Sequence, residues 1–398
     1  MAAPPAARLG GFGTSIFTEI TALALKHGAA NLGQGFPDFP APGFIKEAAA
    51  RHIREDHNQY AASAGVPRLR AALAAQWQRR HGQVIDPATE VTVAGGATEV
   101  LFDAVLGLVN PGDEVIVFEP TYDAYAPDIQ MAGGVARPVT LHPPRWEWDP
   151  DELAAAFTPR TRALMLNTPH NPTGKVFTRA ELEALARLCV EHDVVAISDE
   201  VYSEILFEGA RHVPIATLPG MRERTISVDS MGKTFSVTGW KVGWAIAPPA
   251  LTASVRATHQ FVTFTNSAPF QEALADALED QGSGATSPRA ADAYYEELRA
   301  AYAGRRAQLT AILTDVGMPP LPIAGAYFLL CDIAGSGFTD DLAFCRHLCT
   351  EVGVAAIPIS PFYGAAGAAR APKLARFCFA KREETIHLAG ERLRRARS

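Results

Sequence analysis

The sequence predicts an α/β protein in which a mostly parallel, doubly wound sheet flanked by helices forms a large domain, with a smaller α+β domain beside it. Short apolar runs alternate with helical patterns, as expected for such a sheet. The apolar runs are continuous, which is typical of parallel strands buried on both faces. After about residue 280 the pattern changes to a polar, helix-rich one. We expect an N-terminal arm and part of the small domain at 1–45, a large domain at 46–282 and a C-terminal small domain at 283–398.

Hydrophobic spacing predicts the individual elements in chain order. The predicted helices cover about Ile16–His27, the stretch around Val100–Leu108, Arg179–His192 and Ala291–Leu313. The predicted strands cover Val91–Val93, Val115–Phe118, Ala163–Leu166, Val194–Ile197 and Thr225–Val228, followed in the smaller domain by Tyr327–Cys331, Val354–Ile357 and Ala375–Phe379. The Gly/Ser-rich segment Gly282–Pro288 is predicted to be a hinge or a surface loop.

The composition is that of a globular enzyme or binding protein. The 398 residues carry a net charge of −7, and 48% of them are hydrophobic, which argues against a general nucleic-acid binder. The five cysteines include no CxxC pair and favour a reducing compartment. Residues 1–13 make a poor signal peptide, and no apolar run reaches the length of a membrane span. We therefore expect a cytoplasmic protein with no membrane or nucleic-acid partner, and we assign no metal ligands.

Polar residues follow four of the predicted strands, where an open α/β sheet binds its ligands. The turn Ala94–Gly96 exposes backbone N–H groups at a helix start, which favours an anion. Asn171, Asp199 and Lys233 follow three further strands, and a carboxylate after an apolar strand needs a cation. Each feature alone is weak, because turns and helix caps use the same residues. Together they favour a ligand with a phosphate, a basic ring nitrogen and a carbonyl, which pyridoxal 5′-phosphate combines.

The stretch Met231–Thr234 also resembles the end of a nucleotide-binding phosphate loop, GxxxxGK[ST]. The first glycine of that motif would fall on Ser227, inside a predicted strand. Nucleotide hydrolysis is therefore excluded.

A series of motifs resembles those of the fold-type I pyridoxal-phosphate aminotransferases of class I/II. The motifs are NLGQGFPDF (31–39), NQY (58–60), GATE (96–99), EPTYDAY (119–125), NTPHNPTGKVF (167–177), SDEVY (198–202), SMGKTFSVTGWKVGW (230–244), VAAIPIS (354–360) and RFCFAK (376–381). They occur in the family's order and cover nearly the whole chain. Within the class, the chain resembles kynurenine aminotransferases (glutamine transaminase K) and bacterial methionine aminotransferases.

The resemblance implies a role for each cofactor-binding residue. Lys233 would bond to the cofactor aldehyde and later move a proton, and Asp199 would keep the pyridine nitrogen protonated. The remaining contacts would be Ala97, Thr98, Ser230 and Lys241 to the phosphate, Asn171 and Tyr202 to the ring hydroxylate, and Tyr122 stacked on the ring.

The resemblance also implies the substrate contacts. Arg376 would bind the substrate carboxylate as a two-pronged fork, with the Gly35 backbone beside it. Phe17 would line the side-chain pocket. Tyr60 and Phe264 match positions that this family contributes across a homodimer interface, Tyr60 to the cofactor and Phe264 to the substrate.

The residues themselves leave alternatives to these roles open. On composition alone, Arg370 and Arg382 are rivals of Arg376. Phe17, Tyr122 and Phe264 are of types that more often fill cores.

The function implied is transfer of the amino group of an L-amino acid, of methionine, glutamine or aromatic (kynurenine) type, to a 2-oxo acid. Thr98 departs from the tyrosine of animal kynurenine enzymes, whereas bacterial methionine-type enzymes share GATE. N-succinyldiaminopimelate transamination is an alternative that predicts extra cations around the side-chain pocket. A cysteine-S-conjugate β-lyase would use the same cofactor, and a ligand-sensing module of a transcription regulator would need a DNA-binding segment that the sequence does not predict.

Overall fold

The computed structural model describes residues 6–279 and 290–397. Its strands are β1 (Ala30–Asn31), β2 (Val91–Ala94), β3 (Glu114–Glu119), β4 (Val135–Thr140), β5 (Thr161–Asn167), β6 (Val195–Asp199), β7 (Thr225–Ser230), β8 (Gly243–Ile246), β9 (Phe328–Asp332), β10 (Val354–Ala355), β11 (Ile357–Pro358) and β12 (Leu374–Cys378). Its α-helices are α1 (Ile16–His27), α2 (Gly43–Arg54), α3 (Pro67–His81), α4 (Ala97–Leu108), α5 (Tyr125–Met131), α6 (Pro150–Ala156), α7 (Arg179–Glu191), α8 (Met231–Thr234), α9 (Pro249–Val262), α10 (Ala268–Leu278), α11 (Ala290–Asp315), α12 (Asp341–His347), α13 (Ala365–Ala368) and α14 (Glu383–Arg397). Short 3-10 turns cover Ala7–Leu9, Ile215–Thr217, Arg222–Arg224, Thr238–Trp240, Ala334–Ser336 and Ser360–Phe362, and a π-helical turn covers Leu348–Val352.

The large sheet has seven strands in the part of the chain described, in the order β2-β8-β7-β6-β5-β3-β4. Neighbours from β7 to β4 pair in parallel, whereas β8 runs antiparallel to β7 and β2. Every residue of β6 is buried, as its apolar run predicts. The prediction of a mostly parallel sheet is confirmed. Strand β4 was not predicted, because it lies at the sheet edge, is largely exposed or half-buried, and contains Arg137 and Pro138.

The helices begin and end at recognisable residues. The Ser15 hydroxyl caps α1 by accepting the Thr18 N–H at 3.2 Å, and Gly28 ends α1 with a left-handed φ of 58°. Helix α7 begins with a capping box in which Thr178 and Glu181 each accept the other's backbone N–H. The prediction of the first helix is therefore confirmed to the residue, and that of α7 to within one.

Helices cover both faces of the sheet. On one face α4 and α9 pack on β7, where Ile226 and Val228 lie among their buried apolar side chains. On the other, α3 packs on β2 within a second buried cluster that includes Val93 and Trp244. This is the doubly wound arrangement predicted. Among the described residues, no helix combines the length and apolar character that a membrane crossing requires.

The C-terminal region forms two smaller sheets, and one strand prediction there is wrong. The predicted strand Val354–Ile357 is interrupted at Ala356, because β10 pairs in parallel with β1 while β11 pairs antiparallel with β12. An unbroken apolar run does not show which partner each half takes. The predictions Tyr327–Cys331 and Ala375–Phe379 are confirmed, each shifted by one residue, as β9 and β12.

Pairing of β1 with β10 attaches the N-terminal arm to the C-terminal region. This pairing is compatible with an arm that belongs to the small domain. The division at 1–45, 46–282 and 283–398 stays a prediction, and the segment Gly282–Pro288 lies outside the described residues.

Candidate active site

The carboxyl ends of the parallel strands open into a cavity of about 380 Å³. Asp199 ends β6, Ser230 ends β7, and Lys233 follows on α8. The cavity lining contains most of the residues predicted from sequence: Phe17, Gly35, Ala97, Thr98, Tyr122, Asn171, Asp199, Tyr202, Ser230, Lys233, Lys241 and Arg376. The fold therefore gathers side chains from both ends of the chain at one edge of the sheet.

The turn from β2 to α4 forms one end of the cavity. Gly96 has a left-handed φ of 90°, and a side chain there would come within 3.1 Å of Lys241 Nζ. Ala97 and Thr98 open α4, so their N–H groups have no partner inside the helix. A Cβ on Gly243 would lie 2.8 Å from Gly96 Cα, so strand β8 approaches the turn closely. The result is a backbone cradle that favours an anion.

Ser230 and Lys241 bring a hydroxyl and a cation to the same end. The Ser230 hydroxyl does not cap α8, and the Ser230 N–H donates to Asp229 Oδ1 at 2.7 Å. The Asn266 amide donates to the Ala94 and Lys241 carbonyls at 2.8 and 3.1 Å. Asn266 thus joins the backbone of the lysine to the end of β2.

Asp199 is a buried carboxylate with no cation bonded to it. It is 5% exposed, and it accepts the Tyr125 O–H at 2.7 Å and the Val201 N–H at 3.3 Å. Among the described residues no lysine or arginine donates to it. Burial raises the pKa of Asp199 to about 6, although both hydrogen bonds oppose the rise. Tyr125 was not predicted as a site residue. It is the last residue of the EPTYDAY motif, but only the position of α5 in the fold shows that it contacts Asp199.

Lys233 points into the cavity from α8. Its Nζ donates to the Gly35 carbonyl at 3.3 Å. The pKa of Lys233 is lowered to about 8, mainly by burial and in part by the cations of Arg376 and Lys241, while the Asp199 carboxylate opposes the shift. About a tenth of its amine is therefore unprotonated at pH 7, far more than for a lysine in water. The unprotonated amine is the form that a nucleophile requires.

Arg376 lies on β12 and is 1% exposed. Its Nη1 donates to Asn171 Oδ1 at 2.8 Å and its Nη2 to the Gly33 carbonyl at 3.0 Å, while its buried Nε has no partner within the described part of the chain. It is the one arginine that the described residues contribute to the cavity lining. The rivals Arg370 and Arg382 are thereby set aside.

Asn167, which was not predicted as a site residue, adds a second amide side chain to the cavity beside Asn171. It ends β5 and lines the cavity. Its Oδ1 accepts the Asn171 N–H at 2.7 Å, and its Nδ2 donates to the Asp199 carbonyl at 3.0 Å. Its position as first residue of NTPHNPTGKVF, at a strand end, was the available signal.

Aromatic rings form the wall around the arginine. The guanidinium carbon of Arg376 lies 4.0 Å from the ring centre of Phe328 and 5.1 Å from that of Phe17. Tyr202 is 3% exposed, and its ring centre lies 5.9 Å from Lys233 Nζ. Phe328, which was not predicted as a site residue, joins Phe17 in the lining.

Two predicted residues, Tyr60 and Phe264, are absent from the lining that the described part of the chain forms. Their side chains lie on the surface, 83% and 39% exposed, and their rings meet edge to face at 5.5 Å between centres. Surface positions are what a contribution to a partner subunit requires, and that contribution stays a prediction.

Comparison with known proteins shows that the chain is related to the aminotransferases. The family model Aminotransferase class I and II matches residues 28–393, so the chain belongs to that family. The protein is an α/β aminotransferase, as the motifs predicted.

Its relatives include enzymes of different substrates. It is 43% identical to methionine aminotransferase of Escherichia coli (strain K12), over 98% of each chain. It is 40% identical to human kynurenine–oxoglutarate transaminase 1, over 98% of this chain and 97% of that one. The solved structure of N-succinyldiaminopimelate aminotransferase from Mycobacterium tuberculosis matches with a TM-score of 0.92 and 44% identity, over 98% of this chain and 99% of that one.

The lowered pKa of Lys233 predicts the pH dependence of its reaction with an aldehyde. Only the unprotonated amine attacks, so the rate should rise about tenfold per pH unit below pH 8 and level off above it. The measurement is the initial rate of borohydride-trapped labelling at Lys233 by a small aromatic aldehyde, read by peptide mass spectrometry. A rate still rising tenfold per unit up to pH 10, as for a lysine in water, would contradict the assignment.

Proposed function

We propose that this aminotransferase uses pyridoxal 5′-phosphate held in the strand-end cavity. The observation that carries the proposal is the buried Asp199 carboxylate, to which no lysine or arginine among the described residues donates a hydrogen bond. A protonated pyridine nitrogen would supply a charged hydrogen-bond donor there. The Gly96–Thr98 turn, with Ser230 and Lys241, fits a phosphate at the other end.

The bound cofactor supplies an aldehyde that receives the amino group and a protonated ring that draws electrons from the substrate Cα. Lys233 Nζ acts as the free base that takes the Cα proton, since burial has already lowered its pKa to about 8. Arg376 holds the substrate carboxylate with its fork of N–H groups and thereby fixes the Cα position. Asn171 orients that fork through its side-chain oxygen.

The charges of the cavity favour substrates whose side chain is neutral, such as methionine, glutamine or aromatic amino acids. Three cations from the described residues line it, and Lys233, Lys241 and Arg376 each have a role already. Asp123 adds a carboxylate to the same lining. Its pKa is raised by burial, while the Arg376 charge opposes the rise. An acidic side chain, such as the succinyl arm of N-succinyldiaminopimelate, would meet a like charge there.

The proposal includes a homodimer. Exposed apolar side chains cluster around the predicted partner-facing residues, with Phe261 89%, Tyr60 83%, Val262 45% and Phe264 39% exposed. Such a patch is typical of an interaction surface. In a dimer, Tyr60 and Phe264 would complete the cofactor and substrate sites of the partner subunit.

We place the enzyme in the cytoplasm. All five cysteines are buried and unpaired, as suits a reducing compartment.

Replacing Lys233 by alanine tests the proposed function. Lys233→Ala should lower the rate of amino transfer by about 10²–10⁴-fold, because the general base is lost. It should also abolish borohydride-stable attachment of pyridoxal phosphate. The readouts are the absorbance change on adding methionine, in single turnover, and the mass of the intact protein.

The matched control is Lys241→Ala, which removes a charge on the phosphate and leaves the base. It should weaken pyridoxal-phosphate binding by about 10–100-fold and keep covalent attachment at saturation. A Lys233→Ala protein that still transfers amino groups at the wild-type rate would contradict the assignment of Lys233 as the general base.

Replacing Asp123 by asparagine tests the substrate class. In Asp123→Asn the ratio of kcat/KM for glutamate to that for methionine should rise by about tenfold, since a like charge near the side chain is removed. Asp128→Asn, the same change at a buried carboxylate outside the cavity lining, should leave the ratio unchanged. If wild type and Asp123→Asn discriminate equally, Asp123 does not set the substrate class.

A further inference from the structure

A glutamate that does not line the cavity accepts a hydrogen bond from the backbone of the phosphate-binding turn. Glu99 lies in the first turn of α4 and is 9% exposed. One carboxylate oxygen, Oε2, accepts the Gly95 N–H in a short hydrogen bond. The other, Oε1, lies 2.7 Å from His259 Nδ1. The backbone of the turn therefore depends on a side chain that faces away from the ligand.

His259 extends this connection to another part of the chain. It lies on α9 with its side chain fully buried, and its Nε2 lies 2.9 Å from the Ser63 carbonyl. The partners of its two ring nitrogens are a carboxylate and a carbonyl, which both accept hydrogen bonds, so both nitrogens carry a proton. Burial lowers the pKa of His259, but the hydrogen bond and charge of Glu99, together with the Asp103 charge and the Ser63 carbonyl, raise it overall above its usual value. Glu99 and His259 are thus a buried ion pair.

A third carboxylate faces the pair. Asp103 is fully buried, and its Oδ2 lies 3.7 Å from His259 Nδ1. Neither of its oxygens has a hydrogen-bond partner among residues 6–279 and 290–397. Burial raises the pKa of Asp103 to about 7. Its negative charge, where present, adds to the reason for His259 to stay protonated.

The same pair holds the turn that carries Phe264. The Thr263 hydroxyl donates to Glu99 Oε1, and the Phe264 N–H donates to the His259 carbonyl at 2.9 Å. Phe264 has a left-handed φ of 69°. A phenylalanine keeps that conformation only where its surroundings impose it.

We propose that Glu99 and His259 are positioning residues that connect the phosphate-binding turn, Gly95–Thr98, to the Thr263–Phe264 turn. They touch neither cofactor nor substrate. They set the direction of the N–H groups that receive the phosphate, and they hold the surface loop that would enter the partner subunit's site. This inference rests on the proposed pyridoxal-phosphate site.

The test compares two ligands that differ only in the phosphate. Full-length protein freed of cofactor is titrated with pyridoxal phosphate and with pyridoxal, and the ratio of the two dissociation constants is measured. Glu99→Gln keeps only one accepting oxygen, so either the Gly95 N–H or the His259 and Thr263 donors lose their acceptor. The connection between the two turns is then broken, and the preference for pyridoxal phosphate should fall by about tenfold, with pyridoxal affinity nearly unchanged. General damage to the site would instead weaken both ligands alike.

Two further variants sharpen the result. His259→Asn places an amide N–H where Nδ1 was and should keep the wild-type ratio, whereas His259→Leu should lower it as Glu99→Gln does. The matched control is Glu114→Gln. Glu114 is also a buried glutamate, 2% exposed, and accepts the Thr158 hydroxyl at 2.7 Å, but it begins β3 at the far end of the sheet. This control should leave the ratio unchanged.

The possible outcomes distinguish a failure of the positioning role of Glu99 and His259 from a failure of the proposed pyridoxal-phosphate function. If Glu99→Gln and His259→Leu keep the wild-type ratio, or lose both ligands by the same factor, the positioning role is overturned. If His259→Leu does not fold, Glu99→Gln and His259→Asn decide alone. A wild-type protein that binds pyridoxal phosphate no better than pyridoxal overturns the proposed function, and this inference with it.

Discussion

The buried carboxylate of Asp199 is the constraint on which the rest of the site depends. It ends the central strand β6, is 5% exposed, and receives hydrogen bonds only from Tyr125 and Val201 among the described residues. A buried carboxylate that no cation hydrogen-bonds costs free energy, and its pKa of about 6 reflects that cost. A ligand with a protonated ring nitrogen would reduce the cost. In the proposed function, the group that destabilises the chain by itself would thus contribute to binding the cofactor.

The strand order of the large sheet places other residues of the site next to Asp199. Because β5, β6 and β7 are parallel neighbours, their last residues Asn167, Asp199 and Ser230 meet at one edge. Lys233 lies within one turn of helix beyond Ser230, and burial there lowers its pKa to about 8. Arg376 arrives from the small antiparallel sheet and closes the other side. In the proposed function, the large sheet would contact the cofactor and the small antiparallel sheet would contact the substrate carboxylate.

Much of the site could be predicted from sequence because its residues directly follow buried strands. Asp199 and Lys233 are examples, since each follows an apolar run. Tyr125 could not be recognised, because its partner is 74 positions away and tyrosine has many structural roles. The contact between Glu99 and His259 could not be predicted for the same reason, because 160 positions separate the two residues. In the fold, the strand predicted at 354–357 was wrong because an apolar run does not encode a change of sheet partner.

The protonation state of the pyridine nitrogen in the bound cofactor tests the role of Asp199 most directly. The protein is reconstituted with ¹⁵N-labelled pyridoxal phosphate, and the ¹⁵N chemical shift is recorded at neutral pH for wild type and Asp199→Asn. We expect a protonated nitrogen in wild type and an unprotonated one in Asp199→Asn, where the carboxylate charge is gone. An unprotonated nitrogen in wild type, or the same protonated state in both proteins, would contradict this role of Asp199.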